Sequence, residues 1–380
     1  MRRIPLMIII LLIMLSCSMS LLAQNERYVM RSPRAMGMGG AGLAVLSPDH
    51  VFFYNPAQLN RLTRNKFTLV DARICFNKNL LDQLDFYNKY SEQIKNLNDF
   101  SDDETSAFFD EASEIIKKRV IAEFAGPVPI NLVVRNFGVG FFTGAAVDYR
   151  MKTGASSIPL VNAAFQADFL VVGSLAHGFS GPFPGKLSVG GTVKYMNRWI
   201  SYKMQSVTDL DNQLVVFSGK TIGVDLATLY SIKRLAFGFT IFDVNSPTIA
   251  YQANQSSLND STSIVVAPNG KVEPSLRCGL AYYPKKSLIP IFSRNVIALD
   301  IEQPFDGDLT FFKKLYFGFE GTLASVFRLR VGFAQGYASF GAGIDLSVIL
   351  IDYAFYGQEW GGYAGQVPNW NHLIRFKLGF

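Results

Sequence analysis

From Lys66 to the C-terminus, apolar and polar positions alternate with a period of two. Val161, Ala163, Phe165, Ala167, Phe169 and Val171 interleave with Asn162, Ala164, Gln166, Asp168, Leu170 and Val172, so one face is continuously apolar while the other turns polar. That period marks strands with one buried-type and one polar face. Leu187, Val189, Val193 and Tyr195 oppose Ser188, Thr192, Lys194 and Arg198 in the same way. Leu235, Phe237, Phe239 and Ile241 follow, and Phe327, Leu329, Val331 and Phe333 oppose Arg328 and Arg330. Charges fall on one face only. About fourteen strands are predicted, near 66–76, 129–136, 139–151, 160–177, 187–205, 214–230, 235–246, 274–283, 294–303, 313–322, 326–335, 338–346, 348–357 and 370–380. Many exceed the five or six residues usual in soluble sandwiches and propellers and match the roughly 9 to 11 of membrane-spanning barrel strands. The fold class expected is all-β, a transmembrane antiparallel β-barrel of about 14 strands.

An even strand count makes loop parity a second test. With the first strand running outward, the connections at 77–128, 152–159, 206–213, 247–273, 304–312, 336–337 and 358–369 share the outer end. The alternate ones, such as 136–138, 231–234 and 346–347, are mostly short, as inner turns of such barrels are. The first long connection reads as two amphipathic helices. Leu80, Leu84, Tyr87, Ile94 and Leu97 recur at helical spacing, and Ser101 with Glu104 forms a capping box before Phe108, Ala112, Ile115, Ile116 and Val120. These define a helical extracellular insertion over 80–124. Its carboxylates, Asp102, Asp103, Glu104, Asp110, Glu111 and Glu114, lack the spaced loop and central glycine of a calcium site and read as a solvated face.

Composition narrows the class. The chain is 49% apolar and 17% charged, against roughly 25% charged in an average domain. Beyond residue 24 no apolar run reaches the roughly 18 residues of a membrane helix, which excludes a polytopic helical protein. Formal net charge is +6, two units of it on Arg2 and Arg3, too mild for a nucleic-acid footprint. Residues 1–24 run from Arg2 and Arg3 through an apolar stretch to Ala23, the order of a signal peptide cleaved near Ala23. Lipidation at Cys17 is the competing reading, although Met14 stands where a lipobox has Leu. Only Cys75 and Cys278 then remain, enough for one optional bridge.

Catalytic chemistry finds little support. By register His177 and His372 share the lipid-facing side, and His50 beside Asp49 reads as a turn pair. No nucleophile, base and orienting group assemble, and no His or Cys pair has metal-ligand spacing. Catalytic residues, metal and cofactor are therefore all expected to be none. Gly37, Gly39 and Gly42 satisfy a dinucleotide fingerprint literally, but no strand precedes them and no helical period follows.

A glycine-rich stretch ahead of the first strand suits a different role, because glycine permits close backbone packing in a crowded lumen. Residues 25–65 are expected to fold back as a hatch plugging a barrel of 66–380. Here the chain resembles a family. The run Arg34-Ala35-Met36-Gly37-Met38-Gly39-Gly40-Ala41-Gly42, then Phe53-Tyr54-Asn55-Pro56-Ala57-Gln58-Leu59, is similar to the N-terminal hatch of FadL-type outer-membrane proteins and their PorV-like relatives. The terminal Phe380 on an alternating strand likewise resembles the C-terminal signature of outer-membrane barrels. The resemblance implies a location in the bacterial outer membrane, lipid around the wall, and hydrophobic, fatty-acid-like small molecules passing from an external site through the hatch and sideways into the membrane. In the PorV-like alternative, the outer loops bind a secreted or surface protein. Expected ligand-binding or hatch residues are Arg34, Gly37, Gly39, Gly40, Phe53, Tyr54, Asn55 and Pro56. Arg34 is expected to meet Asp168, Asp225 or Glu320, Asn55 to bond neighbouring carbonyls in a turn, and Pro56 to fix the backbone. A Phe-rich interior and mouth are expected to bind the ligand, and the aromatics Trp360, Tyr363 and Trp370 suit either scheme.

Overall fold

The computed structural model describes residues 28, 30–95, 102–116, 118–126, 130–153, 159–181, 184–206, 216–253 and 269–380. The expected signal peptide, Cys17 and Ser101 lie outside the described residues. Fourteen wall strands close an antiparallel barrel. They are β1 (Lys66–Asn77), β2 in two pieces (Val120–Ala125 and Ile130–Val134), β3 (Phe137–Thr153), β4 (Pro159–Phe179), β5 (Lys186–Ser206), β6 (Val216–Ile232), β7 (Leu235–Phe242), β8 (Ser275–Tyr282), β9 (Arg294–Glu302), β10 (Leu315–Leu323), β11 (Phe327–Ala334), β12 (Tyr337–Asp345), β13 (Ile349–Glu359) and β14 (Pro368–Gly379). The barrel closes where β14 pairs with β1, from Thr68 opposite Gly379 to Asn77 opposite Asn371. Closure leaves no unpaired edge, a requirement for strands in hydrocarbon, where no water replaces a missing partner.

The alternation in sequence becomes two faces. Phe165, Phe169, Val171, Val193, Ile222, Phe237, Leu329, Val331, Phe340, Ile374 and Phe376 are exposed outward. Asp71, Arg73, Asp168, Arg198, Asp225, Asp300, Glu320, Arg330, Asp352 and Arg375 are buried on the lumenal side. An outward apolar band over a polar interior is the arrangement of a transmembrane barrel. Among the described residues, no helix is long and apolar enough to cross a membrane. The expected Phe-rich interior is corrected by this register. Most phenylalanines of the wall occupy the outward parity, where hydrocarbon tolerates them, and the lumen is lined by ion pairs with a few buried rings such as Phe52, Phe142 and Phe217.

Within the barrel lies a segment with a short helix α1 (Pro33–Gly37) and two 3-10 turns, Pro48–His50 and Pro56–Arg61. Past β1 come α2 (Lys78–Lys95) and α3 (Asp102–Ile116), joined by the rings of Phe86, Tyr90 and Phe108 at centroid separations of 5.4 and 5.1 Å. The helical reading extended to 124, but α3 stops at Ile116 and Val120–Ala125 is wall. Those residues pair with both β1 and β3, and the ladder outweighs their helical spacing. The wall strand expected to begin at 129 thus begins at Val120. The connection after β7 turns inward. Thr248–Ala250 pairs with Asn269–Lys271, and Ile249, Tyr251 and Val272 bury against Met196 and Phe217. Cys75 and Cys278 are free thiols.

Candidate functional site in the lumen

Proline at its first turn starts α1, and the chain then reverses through Gly39 and Gly40, whose φ values of 64° and 83° suit glycine. The reversal presses backbone against backbone. A Cβ on Gly332 of β11 would lie 2.1 Å from Gly39 N, so the wall needs glycine there. Ser339 supplies Oγ at 2.8 Å to Gly39 N–H. Asp300 accepts from Gly42 and Leu43 N–H, both at 2.9 Å. Asn55 caps the second 3-10 turn through Oδ1, accepting from Ala57 N–H at 3.0 Å, and Pro56 opens that turn. The Asn55 amide was expected to bond carbonyls close by in a turn. Its Nδ2 donates instead to Thr228 O of β6 at 3.0 Å, because the turn lies flat against that strand.

Charge fixes the segment to the wall. Arg34 meets Glu320 with bonds of 3.0 and 2.7 Å, and Glu320 also accepts from Arg330, which reaches on to Asp352, each at 2.7 Å. Of the other two carboxylates considered for Arg34, Asp168 is held by Arg198 at 2.6 and 2.9 Å and Asp225 by Lys194 at 2.8 Å. The expected His50–Asp49 pair does not form. His50 Nε2 faces Ser32 Oγ at 3.2 Å and its Nδ1 faces Gly42 O at 3.1 Å. Asp49 points to Arg375, at 3.0 Å, and to Lys377, since successive side chains of a tight turn leave in different directions. Phe53 packs edge-on to Phe142 at 4.9 Å, and Tyr54 OH accepts from Ser32 N–H at 3.1 Å.

Two cavities flank this segment. One of about 350 Å³ is lined by Gly39, Gly40, Phe53 and Tyr54 together with Arg277, Glu302, Lys313, Lys314 and Tyr316. Arg34, Gly37, Asn55 and Pro56 lie away from it and hold the segment in place. The other, of about 380 Å³, is lined by Arg73, Cys75, Glu123, Gln166 and Asp168, and also by Phe124 and Ala145. Tyr28, Arg31 and Gln358 border both. Phe124 and Ala145 belong to the outward register and are exposed, so the second cavity reaches the wall. It does so at the end of the first half of β2, next to the interruption of that strand. Ala125 opposes Gly144 and Ile130 opposes Phe141, leaving more residues on β2 than on β3. Gly126 there has φ 88° and a Cβ would meet Asp71 O at 2.5 Å. Sequence reasoning missed this break, Tyr28, Arg31 and the Lys313–Lys314 pair. The signal available was Pro127 and Pro129, which lack the N–H that a central strand donates.

Comparison with solved structures identifies the architecture. The deltaS2 mutant of the TodX monoaromatic hydrocarbon channel aligns at 12% identity over 91% of this chain and 96% of that one, with a TM-score of 0.50. The Pseudomonas putida toluene transporter TodX aligns at 13% identity over 94% and 99%, TM-score 0.46. A Pseudomonas aeruginosa FadL homologue aligns at 10% over 91% and 96%, TM-score 0.42. In fold the chain is FadL-like, as its N-terminal motif implied. No curated protein matches it. A family model, that of the F plasmid transfer operon TraF protein, matches residues 52–289, well over half of the sequence, and the chain therefore belongs to that family.

Proposed function

We propose that the protein is a channel of the bacterial outer membrane that admits small, largely hydrophobic molecules. Residues 25–65 act as its hatch, and α2 and α3 stand over the outer mouth. A ligand enters the 350 Å³ cavity, a volume within the range of small-molecule sites, and passes the Tyr28–Arg31 stretch of the hatch. It leaves by the second cavity, sideways into the bilayer. The observation that carries this reading is the second cavity itself. Arg73 and Asp168 of the lumen and Phe124 and Ala145 of the outer face line the same space, which is what a lateral exit needs. The charged lining of the first cavity further suits a molecule with a polar end, because an unpaired buried charge is costly opposite bare hydrocarbon.

The test is uptake of a labelled apolar compound into vesicles holding the full chain or a chain lacking residues 30–62. The deletion is expected to change uptake strongly and to raise ion conductance; equal permeability across a panel of alkyl and aromatic compounds would refute the channel. A second reading is favoured by Leu84 and Tyr87 of α2, which are 49% and 54% exposed. In it the helical insertion binds another protein, and removing residues 80–116, which spares the wall strand that starts at Val120, abolishes co-purification while leaving uptake intact.

A further inference from the structure

The connection between β8 and β9, residues 283–293, is the longest at the barrel end opposite α2 and α3. It does not lie across the lumen. Phe292 covers the outward face of Gly321, where a Cβ would come within 2.5 Å of its ring, and stands 6.0 Å from the outward ring of Phe319. Ser293 N–H donates to Thr322 O at 2.7 Å. Asn295 shares the outward parity of Gly321, its partner in the ladder, and is 2.9 Å from Ser287 Oγ. The connection is therefore folded along the outside of the wall, shielding an asparagine that would otherwise face hydrocarbon.

Its tip is apolar and its base is cationic. Leu288, Ile289 and Ile291 are 54%, 44% and 63% exposed, continuous with the outward band of β9 and β10. Lys285 and Lys286 flank them in the open, and Arg294, exposed as well, stands on the lumenal parity of its strand. The adjoining turn adds exposed Lys233 and Arg234 and is tied to the connection by the Tyr283 N–H bond to Arg234 O at 2.9 Å. The sequence holds no Asp or Glu from 283 to 294 or from 231 to 235. Greasy side chains below a collar of cations match the boundary of a leaflet that carries anionic headgroups.

We propose that residues 283–294 form an interfacial anchor, seating Leu288, Ile289 and Ile291 in the leaflet at this end and recruiting anionic phospholipid through Lys285 and Lys286. The anchor rests on the reading of the barrel as membrane-spanning. The full chain, with Trp199, Trp360 and Trp370 replaced by Phe, is given one reporter, Ile291→Trp or the wall control Phe340→Trp, and reconstituted with brominated lipids. Both reporters are expected to be quenched when all lipid is brominated. When only a minor phosphatidylglycerol component carries bromine, the Ile291→Trp reporter is quenched more strongly than the control. Lys285→Gln and Lys286→Gln remove that preference, by roughly fivefold per charge. An unquenched tip beside a quenched wall overturns the anchor alone, and equal quenching by phosphatidylglycerol and phosphatidylcholine overturns its lipid selectivity. A wall reporter that is itself unquenched overturns the membrane reading and the anchor with it.

Discussion

Glu320 shows how a single carboxylate can hold two parts of the molecule together. It lies between Arg34 of the hatch and Arg330 of the wall, both in bonding contact, and Arg330 is fully buried. Paired charges of this kind add little net stability, but removing one partner strands the others without water. Glu320→Ala is therefore expected to lower unfolding stability by about 3–5 kcal/mol, read from the urea midpoint in detergent micelles. Arg34→Ala is expected to cost less, because its side chain is 16% exposed and Glu320 retains Arg330. Equal midpoints for the two variants would contradict this ordering. The sequence already offered Glu320 among three candidates for Arg34. It did not offer the choice, because that depends on Asp168 and Asp225 being taken by Arg198 and Lys194, cations four residues, or two periods of the alternation, apart on one strand.

At the scale of elements, the wall was readable and its interruption was not. A barrel strand advertises itself through a local period, so the ranges inferred for β3 to β14 fall close to the observed ones. The first half of β2 was hidden because it begins only four residues past the end of α3 and carries Glu123, and because Gly126, Pro127 and Pro129 end the alternation that would have marked it. The helices were legible from their own spacing, yet their attachment was not. Asp82 of α2 accepts from Lys78 and from Lys118 beyond α3, both at 3.0 Å. Burial works to raise its carboxyl, but the hydrogen bonds from Lys118 and Lys78 outweigh that and hold it below the usual range. A carboxyl that titrates lower when folded contributes fully above its free value of about 3.9 and loses that contribution as the pH falls through the folded value. Protection of the amides in α2 and α3, taken relative to their intrinsic exchange rate at each pH, is thus expected to fall as pH drops below about 4, and Asp82→Asn should flatten this response; an unchanged acid response in that variant would assign the effect to other groups.

Across the whole molecule, hydrophobic and ionic side chains are sorted by the wall in the sense opposite to a soluble barrel, and beside the break in β2 the two classes meet. There outward Phe124 and Ala145, a pair in the ladder, line the same cavity as buried Asp168 and Arg73, so the apolar exterior and the polar lumen border one space beside the break. Ala145→Trp adds bulk to the rim from the outside and touches none of the ion pairs that hold the hatch. It is expected to reduce transfer of an apolar compound from the lumen into vesicle lipid several-fold while the barrel keeps its resistance to unfolding in detergent. Ala338→Trp places the same bulk on the exposed outward face of β12, far along the wall from the break, and should leave transfer unchanged. If both substitutions slow transfer alike, the compound does not leave through the wall at β2; if neither does, the route runs down the lumen past the hatch, and the charged lining there becomes the barrier that selects what passes.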